Sequence, residues 1–80
     1  MVLKIHPETF EEVKRLSDLV CEQDGEVWMH TLDGSMMFDV RSLLSLFTMV
    51  GQDCFLVGDD HMSSKVFESL AKKSKIEVVE

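Results

Sequence analysis

The chain has 80 residues, 45 % hydrophobic and 29 % charged, with a formal net charge of −7 and a pI near 4.8. Composition excludes disordered, collagenous and low-complexity classes, and length allows one small domain but no barrel enzyme or two-domain dehydrogenase. Fifteen acidic against eight basic residues argue against nucleic acids and anionic membranes, which require clustered cations. We expect protein partners that present basic patches.

The cysteines and the hydropathy pattern bear on cellular location. Cys21 and Cys54 are too far apart for a C-x-x-C redox or zinc site, and each lies in an apolar pattern that predicts a small buried thiol. The first residues lack the apolar run of a signal peptide, and no stretch approaches the ~20 apolar residues of a membrane helix. We expect a cytoplasmic protein with reduced thiols.

Turn signals and apolar spacing divide the chain into elements. Pro7 suits the first turn of a helix, and one apolar face is predicted from residues that recur at spacings of three and four, Phe10, Val13, Leu16 and Val20. Asp33-Gly34 is a two-residue hairpin signal, and Gly58-Asp59-Asp60 predicts a turn with a capping carboxylate. The predicted elements are strands at 2–6, 26–32, 35–40 and 54–57 and helices at about 7–23, 42–50 and 61–73, with the tail 76–80 either frayed or a short extra strand.

The element order β-α-β-β-α-β-α predicts the fold class. Three amphipathic helices can cover one face of a four-stranded sheet, which makes a two-layer α+β domain. No repeat or linker divides the chain, so we expect residues 1–80 to form a single domain.

One segment resembles a known family. Residues 33–46 (DGSMMFDVRSLLSL) combine a hairpin glycine, a short strand, the pair Arg41-Ser42 and a leucine-rich helix. This pattern resembles the second half of HPr, the histidine-containing phosphocarrier protein of the bacterial sugar phosphotransferase system. The resemblance extends over about residues 25–73. It implies an open-faced β-sandwich whose antiparallel sheet has the strand order 1-4-2-3.

The resemblance makes His6 the candidate phosphoacceptor. In that family a histidine at the start of the first helix takes phosphate from enzyme I and passes it to a sugar-specific subunit, helped by helix-end amides and an arginine. The family segment reads Gly-x-His-Ala-Arg-Pro-Ala. Here Lys4, Pro7 and Glu8 replace its glycine, first alanine and arginine, and the Glu8 carboxylate repels a phosphoryl group.

Two functions follow from this comparison. The broken motif predicts an HPr-like regulatory or interaction domain without phosphocarrier activity. The alternative is a divergent phosphocarrier that accepts phosphate from enzyme I on His6, with Lys4 or Arg15 as the neutralising cation. A scaffold or ligand-sensing domain unrelated to sugar uptake is a third hypothesis, which a different strand order would favour.

The resemblance also implies a regulatory site and a docking site. Ser42 lies where a dedicated kinase phosphorylates many Gram-positive members, although a serine at a helix start is also an ordinary N-cap. The helix that follows has more apolar residues than one buried face can hold, so some can contact enzyme I, a sugar-specific subunit or a transcription regulator. The candidate docking residues are Arg41, Leu43, Leu44, Phe47 and Met49.

The remaining titratable residues match no catalytic or metal-binding pattern. His30 and His61 fit no metal-ligand spacing, and the adjacent carboxylates Asp59 and Asp60 are typical of a turn and a cap. The chain has no hydrolase signature and no phosphate-binding loop. We expect no metal, no cofactor and no independent catalysis.

Overall fold

The computed structural model describes residues 1–79, in which an antiparallel sheet packs against three helices. This is the predicted α+β class. In chain order the elements are β1 (Val2–His6), α1 (Phe10–Cys21), β2 (Val27–Thr31), β3 (Met37–Asp39), α2 (Leu43–Leu46) with a 3-10 turn after it (Phe47–Met49), β4 (Cys54–Gly58), α3 (Ser64–Ser74) and β5 (Glu77–Val78).

The sheet has five strands in the order β3-β2-β4-β1-β5, and neighbouring strands are antiparallel. The predicted order β1-β4-β2-β3 is present within it, but the predicted count of four strands is wrong because β5 adds an edge strand beside β1. The chain turns back towards β1 at Lys75, which ends α3 in the left-handed conformation with φ 64°. Glu80, the last residue of the predicted tail, lies outside the described residues.

The core lies between the sheet and the helices. Alternate residues of β1, β2 and β4 point into it, and α1 and α3 each contribute one apolar stripe. The largest fully buried side chains are Ile5, Val13, Leu16, Val20, Val27, Met29, Val40, Leu46, Met49 and Leu56. The other alternate residues of these strands lie on the opposite side of the sheet, which we call the open face.

The hairpin between β2 and β3 differs from its prediction. The connection is longer than two residues, and its positive φ is confined to Gly34, at 74°. Asp33 shapes the turn through its side chain, which accepts hydrogen bonds from the Ser35 amide and from the Thr31 and Ser35 hydroxyls. These bonds lower the pKa of Asp33 to about 2. The connection is therefore a longer turn held by hydrogen bonds to the Asp33 side chain, in place of the predicted two-residue turn.

Gly58 is required by packing, although the sequence predicts it as a turn residue. It is the last residue of β4 and faces α3, where an added Cβ would lie 2.6 Å from Cδ1 of Phe67. The Phe67 ring is buried, with 2 % exposure, and has little room to move. The predicted capping carboxylate is wrong, because α3 begins at Ser64 and is capped by Ser63, while Asp59 Oδ1 accepts a hydrogen bond from the His61 amide at 2.9 Å within the preceding turn.

Replacing Gly58 by alanine will force the methyl group against the Phe67 ring. We expect G58A to lower the free energy of unfolding by about 1–3 kcal/mol, measured by urea denaturation. The loss should shrink when F67L is combined with it, because the shorter side chain makes room for the methyl group. Strictly additive losses in the double variant would show that the two residues do not compete for space.

The two cysteines differ in exposure. Cys54 is buried in β4 as predicted, but the prediction of a buried Cys21 is wrong because the last turn of α1 exposes it. Burial, with a further contribution from the Asp53 charge, raises the pKa of the Cys54 thiol to about 12. The nucleophilic thiolate is therefore almost absent at this position.

Alkylation will distinguish the two thiols. Iodoacetamide at mildly alkaline pH should add a single group to the folded protein, on Cys21, and label Cys54 only after denaturation. Peptide mass spectrometry locates the adduct, and C21S is the control that should remain unlabelled when folded. Rapid labelling of Cys54 in folded C21S would contradict the buried environment described here.

Candidate functional site

His6 ends β1 and contacts a carboxylate of its own chain. Its Nδ1 lies 2.8 Å from Oδ1 of Asp53, and the two side chains are 29 % and 37 % exposed. With Nδ1 donating to the carboxylate, Nε2 is the free nitrogen of the ring. A shallow groove of about 560 Å³ beside them is also lined by Asp33. Two carboxylates thus share this groove with the imidazole.

The amides around the start of α1 are already hydrogen-bonded within the chain. Oε1 of Glu12 accepts from the Glu8 amide at 2.7 Å and from the Thr9 amide at 3.2 Å. The Thr9 hydroxyl accepts from the Glu12 amide at 3.2 Å, which completes a capping box. A helix start binds anions through free amides. Here a carboxylate of the helix itself occupies that position.

The two candidate cations for His6 lie in different places. Arg15 donates from Nε to the Ser74 carbonyl oxygen at 3.0 Å, and its guanidinium is 4.0 Å from Glu11, so it belongs to the contact between α1 and α3. Lys4 lies two residues before His6 in β1 and therefore on the same face of the sheet, roughly 6.6 Å away between Cα atoms. Lys4 is the better-placed of the two.

Ser42 stands at the start of α2 without capping it. Its side chain is exposed and makes no cap hydrogen bond, so the ordinary N-cap interpretation is wrong for this serine. The chain reaches α2 with φ −85° and ψ 78° at Ser42, and the preceding turn is closed by its amide, which donates to the Asp39 carbonyl oxygen at 2.9 Å. The hydroxyl is accessible from solvent.

The candidate docking residues separate into surface and interior positions. Leu44 is 81 % exposed, and Phe47 is partly buried against Phe10, with 4.2 Å between ring centroids. Leu43 packs partly against the core. Met49 is 1 % exposed, and its predicted docking role is wrong because the 3-10 turn after α2 directs it into the core.

Arg41 has an internal role that its docking prediction does not include. Its Nη2 donates to the Gly25 carbonyl oxygen at 2.8 Å and to that of Gln23 at 3.3 Å. These bonds tie the start of α2 to the turn after α1. The arginine is exposed, but its donors are directed at the chain itself.

Phe10 is a surface residue that the sequence analysis assigned to a buried stripe. It is 59 % exposed and contacts the half-buried ring of Phe47; these two residues and the exposed Leu44, three residues before Phe47, are called the α1–α2 patch. The signal that could have found it is the T-x-x-E motif of Thr9 and Glu12, which makes Phe10 the first residue of the helix and leaves it outside the buried stripe.

Comparison with protein families, curated proteins and solved structures finds no match for this chain. Among residues 1–79, no three His, Cys, Asp or Glu side chains come together in a way that could hold a metal ion. No helix in the same part of the chain has both the length and the apolar character to cross a membrane.

The two serines that precede helices provide a matched pair for mutagenesis. Ser63 caps α3 by accepting a hydrogen bond from the Val66 amide at 3.2 Å, whereas Ser42 caps nothing. We expect S63A to lower the free energy of unfolding by about 1 kcal/mol. S42A should change it by less than about 0.5 kcal/mol. Equal losses on urea denaturation would mean that Ser42 also stabilises its helix.

Proposed function

We propose that this chain is an HPr-like regulatory or interaction domain, related to the bacterial sugar phosphotransferase system, that works in the cytoplasm without carrying phosphate. The element order and the strand order β1-β4-β2-β3 support the relation, since the resembling family has both. The observation that carries the loss of phosphocarrier function is the occupation of the α1 start by Glu12.

Three local charges oppose a phosphoryl group on His6. A phosphoryl group adds close to two negative charges at neutral pH and needs donors to stabilise them. Glu12 accepts hydrogen bonds from two amides at this helix start, those of Glu8 and Thr9, and Asp53 accepts one from Nδ1 of the imidazole. Glu8 stands where the resembling family has its arginine. Each group contributes negative charge where phosphate transfer needs positive charge.

The α1–α2 patch is the proposed contact surface. Exposed aromatic and leucine side chains act as anchors in protein interfaces because they bury much apolar area with few rotatable bonds. The exposed Phe10 and Leu44, with the half-buried Phe47, provide a small anchor suited to a transient contact. The partners proposed from the resemblance are an enzyme I-like protein, a sugar-specific subunit and a transcription regulator.

Ser42 is the proposed regulatory site on this surface. Its exposed hydroxyl is two residues from Leu44, the most exposed member of the patch. A phosphate at Ser42 would place a strongly hydrated dianion beside the apolar anchor and raise the cost of burying it. Phosphorylation by a dedicated kinase would therefore change which partners the patch accepts.

The second candidate function is a divergent phosphocarrier. It is favoured by the contact between His6 and Asp53, which leaves Nε2 of the imidazole free to attack phosphorus, and by Lys4 on the same face of the sheet. The two candidates differ in one measurable outcome, phosphate transfer to His6.

Incubation with phosphoenolpyruvate and enzyme I separates the two candidates. We expect the intact mass to remain unchanged under conditions that fully phosphorylate an HPr phosphocarrier added as the positive control. H6A provides the matched negative control. An acid-labile gain of one phosphate that H6A abolishes would overturn the non-phosphocarrier proposal and establish the second candidate.

Binding to the same partner proteins tests the interaction role. In titrations with enzyme I, a sugar-specific subunit and a transcription regulator, saturable binding to at least one should shift backbone resonances around Leu44. We expect L44S to weaken that binding about tenfold, with little effect on stability because the side chain is exposed. M37S, on the open face, is the control that should retain affinity. Failure of all three proteins to bind would contradict the proposed relation.

A further inference from the structure

The open face carries an apolar centre that the described helices do not cover. The register aligns Val2, Val57 and Trp28 in one row across the sheet, and the next row contains Phe55 and Met37 together with Lys4 and His30. Val2 and Met37 are each 59 % exposed, and the other three are half-buried. Strand spacings give the face dimensions of roughly 20 Å by 17 Å. Apolar side chains grouped on an uncovered sheet face are typical of an interaction site.

Carboxylates surround this apolar centre on all four sides. Asp39 lies at the β3 edge, paired with Trp28, and Glu77 lies at the β5 edge, paired with His6. Glu26 directly precedes β2 at one end of the strands, and Asp53 directly precedes β4 at the other end. Because each of these residues alternates with a core-facing one, their side chains lie on the open side. The rim is acidic, and it encloses Lys4 and His30, which lie on either side of Phe55.

The charge of the rim restricts what can cover the face. A second copy of this chain would bring two acidic rims together, with a net charge of −7 on each copy, and like charges across an interface are strongly unfavourable. An anionic membrane or a nucleic acid meets the same repulsion. The complementary ligand has an apolar surface flanked by cations.

The helices on the opposite side of the same sheet indicate the shape of a ligand that fits the open face. It is covered by amphipathic helices, of which α1 has 12 residues and α3 has 11. Helices of this length span roughly 17–18 Å, which matches the length of the strands they cover. We propose that the open face binds a helix of a partner protein whose apolar stripe is flanked by lysine or arginine. This is a second surface, separated from the α1–α2 patch by the sheet itself.

The fluorescence of Trp28 can report binding to the open face, because this residue is the single tryptophan of the chain and lies in the apolar centre. The probe is a designed amphipathic peptide of about 18 residues with a leucine stripe flanked by lysines, long enough to form a helix on binding. We expect a saturable blue shift of Trp28 emission at one peptide per protein, and weaker binding as ionic strength rises. The same peptide with glutamate in place of lysine should cause no shift.

Variants on the two surfaces decide where the peptide binds. The double variant V2T/M37S removes apolar area without changing charge and should weaken peptide binding about tenfold or more. The double variant E26Q/E77Q removes two charges of the rim, and it should weaken peptide binding and make the affinity less dependent on salt. L44S, on the α1–α2 patch, is the matched control and should bind as the unmodified chain does. Circular dichroism verifies that the variants fold.

Three outcomes would overturn the proposal. One is the absence of a saturable Trp28 response to the lysine peptide, and another is binding that V2T/M37S leaves unchanged, since this would show general attraction to an acidic protein. The third is a concentration-dependent dimer in sedimentation experiments that M37S abolishes, since a second copy would then occupy the face. None of these measurements uses a phosphotransferase protein, so the result is independent of the function proposed above.

Discussion

The hydrogen bonds among Glu8, Thr9 and Glu12 determine how the first helix begins, and much of the molecule follows from that start. Four amides at a helix start lack partners within the helix, and the capping box satisfies amides here with the helix's own side chains. The helix therefore begins at Phe10 and not at Pro7. The same bonds stabilise the fold, use three of the amides around the helix start and place the Glu12 carboxylate beside them.

The position of this start also explains the exposed patch. As the first helical residue, Phe10 falls outside the stripe that buries Val13, Leu16 and Val20, and its ring packs on Phe47 at the surface. In the function proposed above, one capping motif both places a carboxylate at the α1 start and leaves Phe10 at the surface as an anchor for a protein contact.

Much of the fold could be predicted from the sequence, because apolar spacing reports which residues point inward. Alternation in β1, β2 and β4 separates Ile5, Met29 and Leu56 from the residues of the open face. The fifth strand could be predicted only as one of two alternatives for the tail 76–80, since a two-residue strand has no period to detect. It depends on the left-handed turn at Lys75, an unusual conformation for a lysine.

The site was less predictable than the fold because it depends on contacts between distant residues. No sequence pattern near His6 indicates that Asp53 lies beside it, and none near Gly58 indicates its contact with Phe67. The first contact orients the imidazole of His6, and the second explains why position 58 requires glycine. Met49 is a second residue whose placement was not predicted. The sequence predicts one helix over residues 42–50, but α2 ends at Leu46, and the 3-10 turn that follows directs Met49 into the core.

The placement of β1 between β4 and β5 has a consequence for biosynthesis. Val2 pairs with Val57 and Ile5 pairs with Val78, so both neighbours of the first strand are made about fifty or more residues later. During translation β1 leaves the ribosome with an apolar side and two unpaired edges, and it has no partner until β4 has emerged. Helix α1 and the β2–β3 hairpin, which precede β4 in the chain, can form from local contacts before then. Completion of the sheet is therefore a late event that joins the two ends of the described chain.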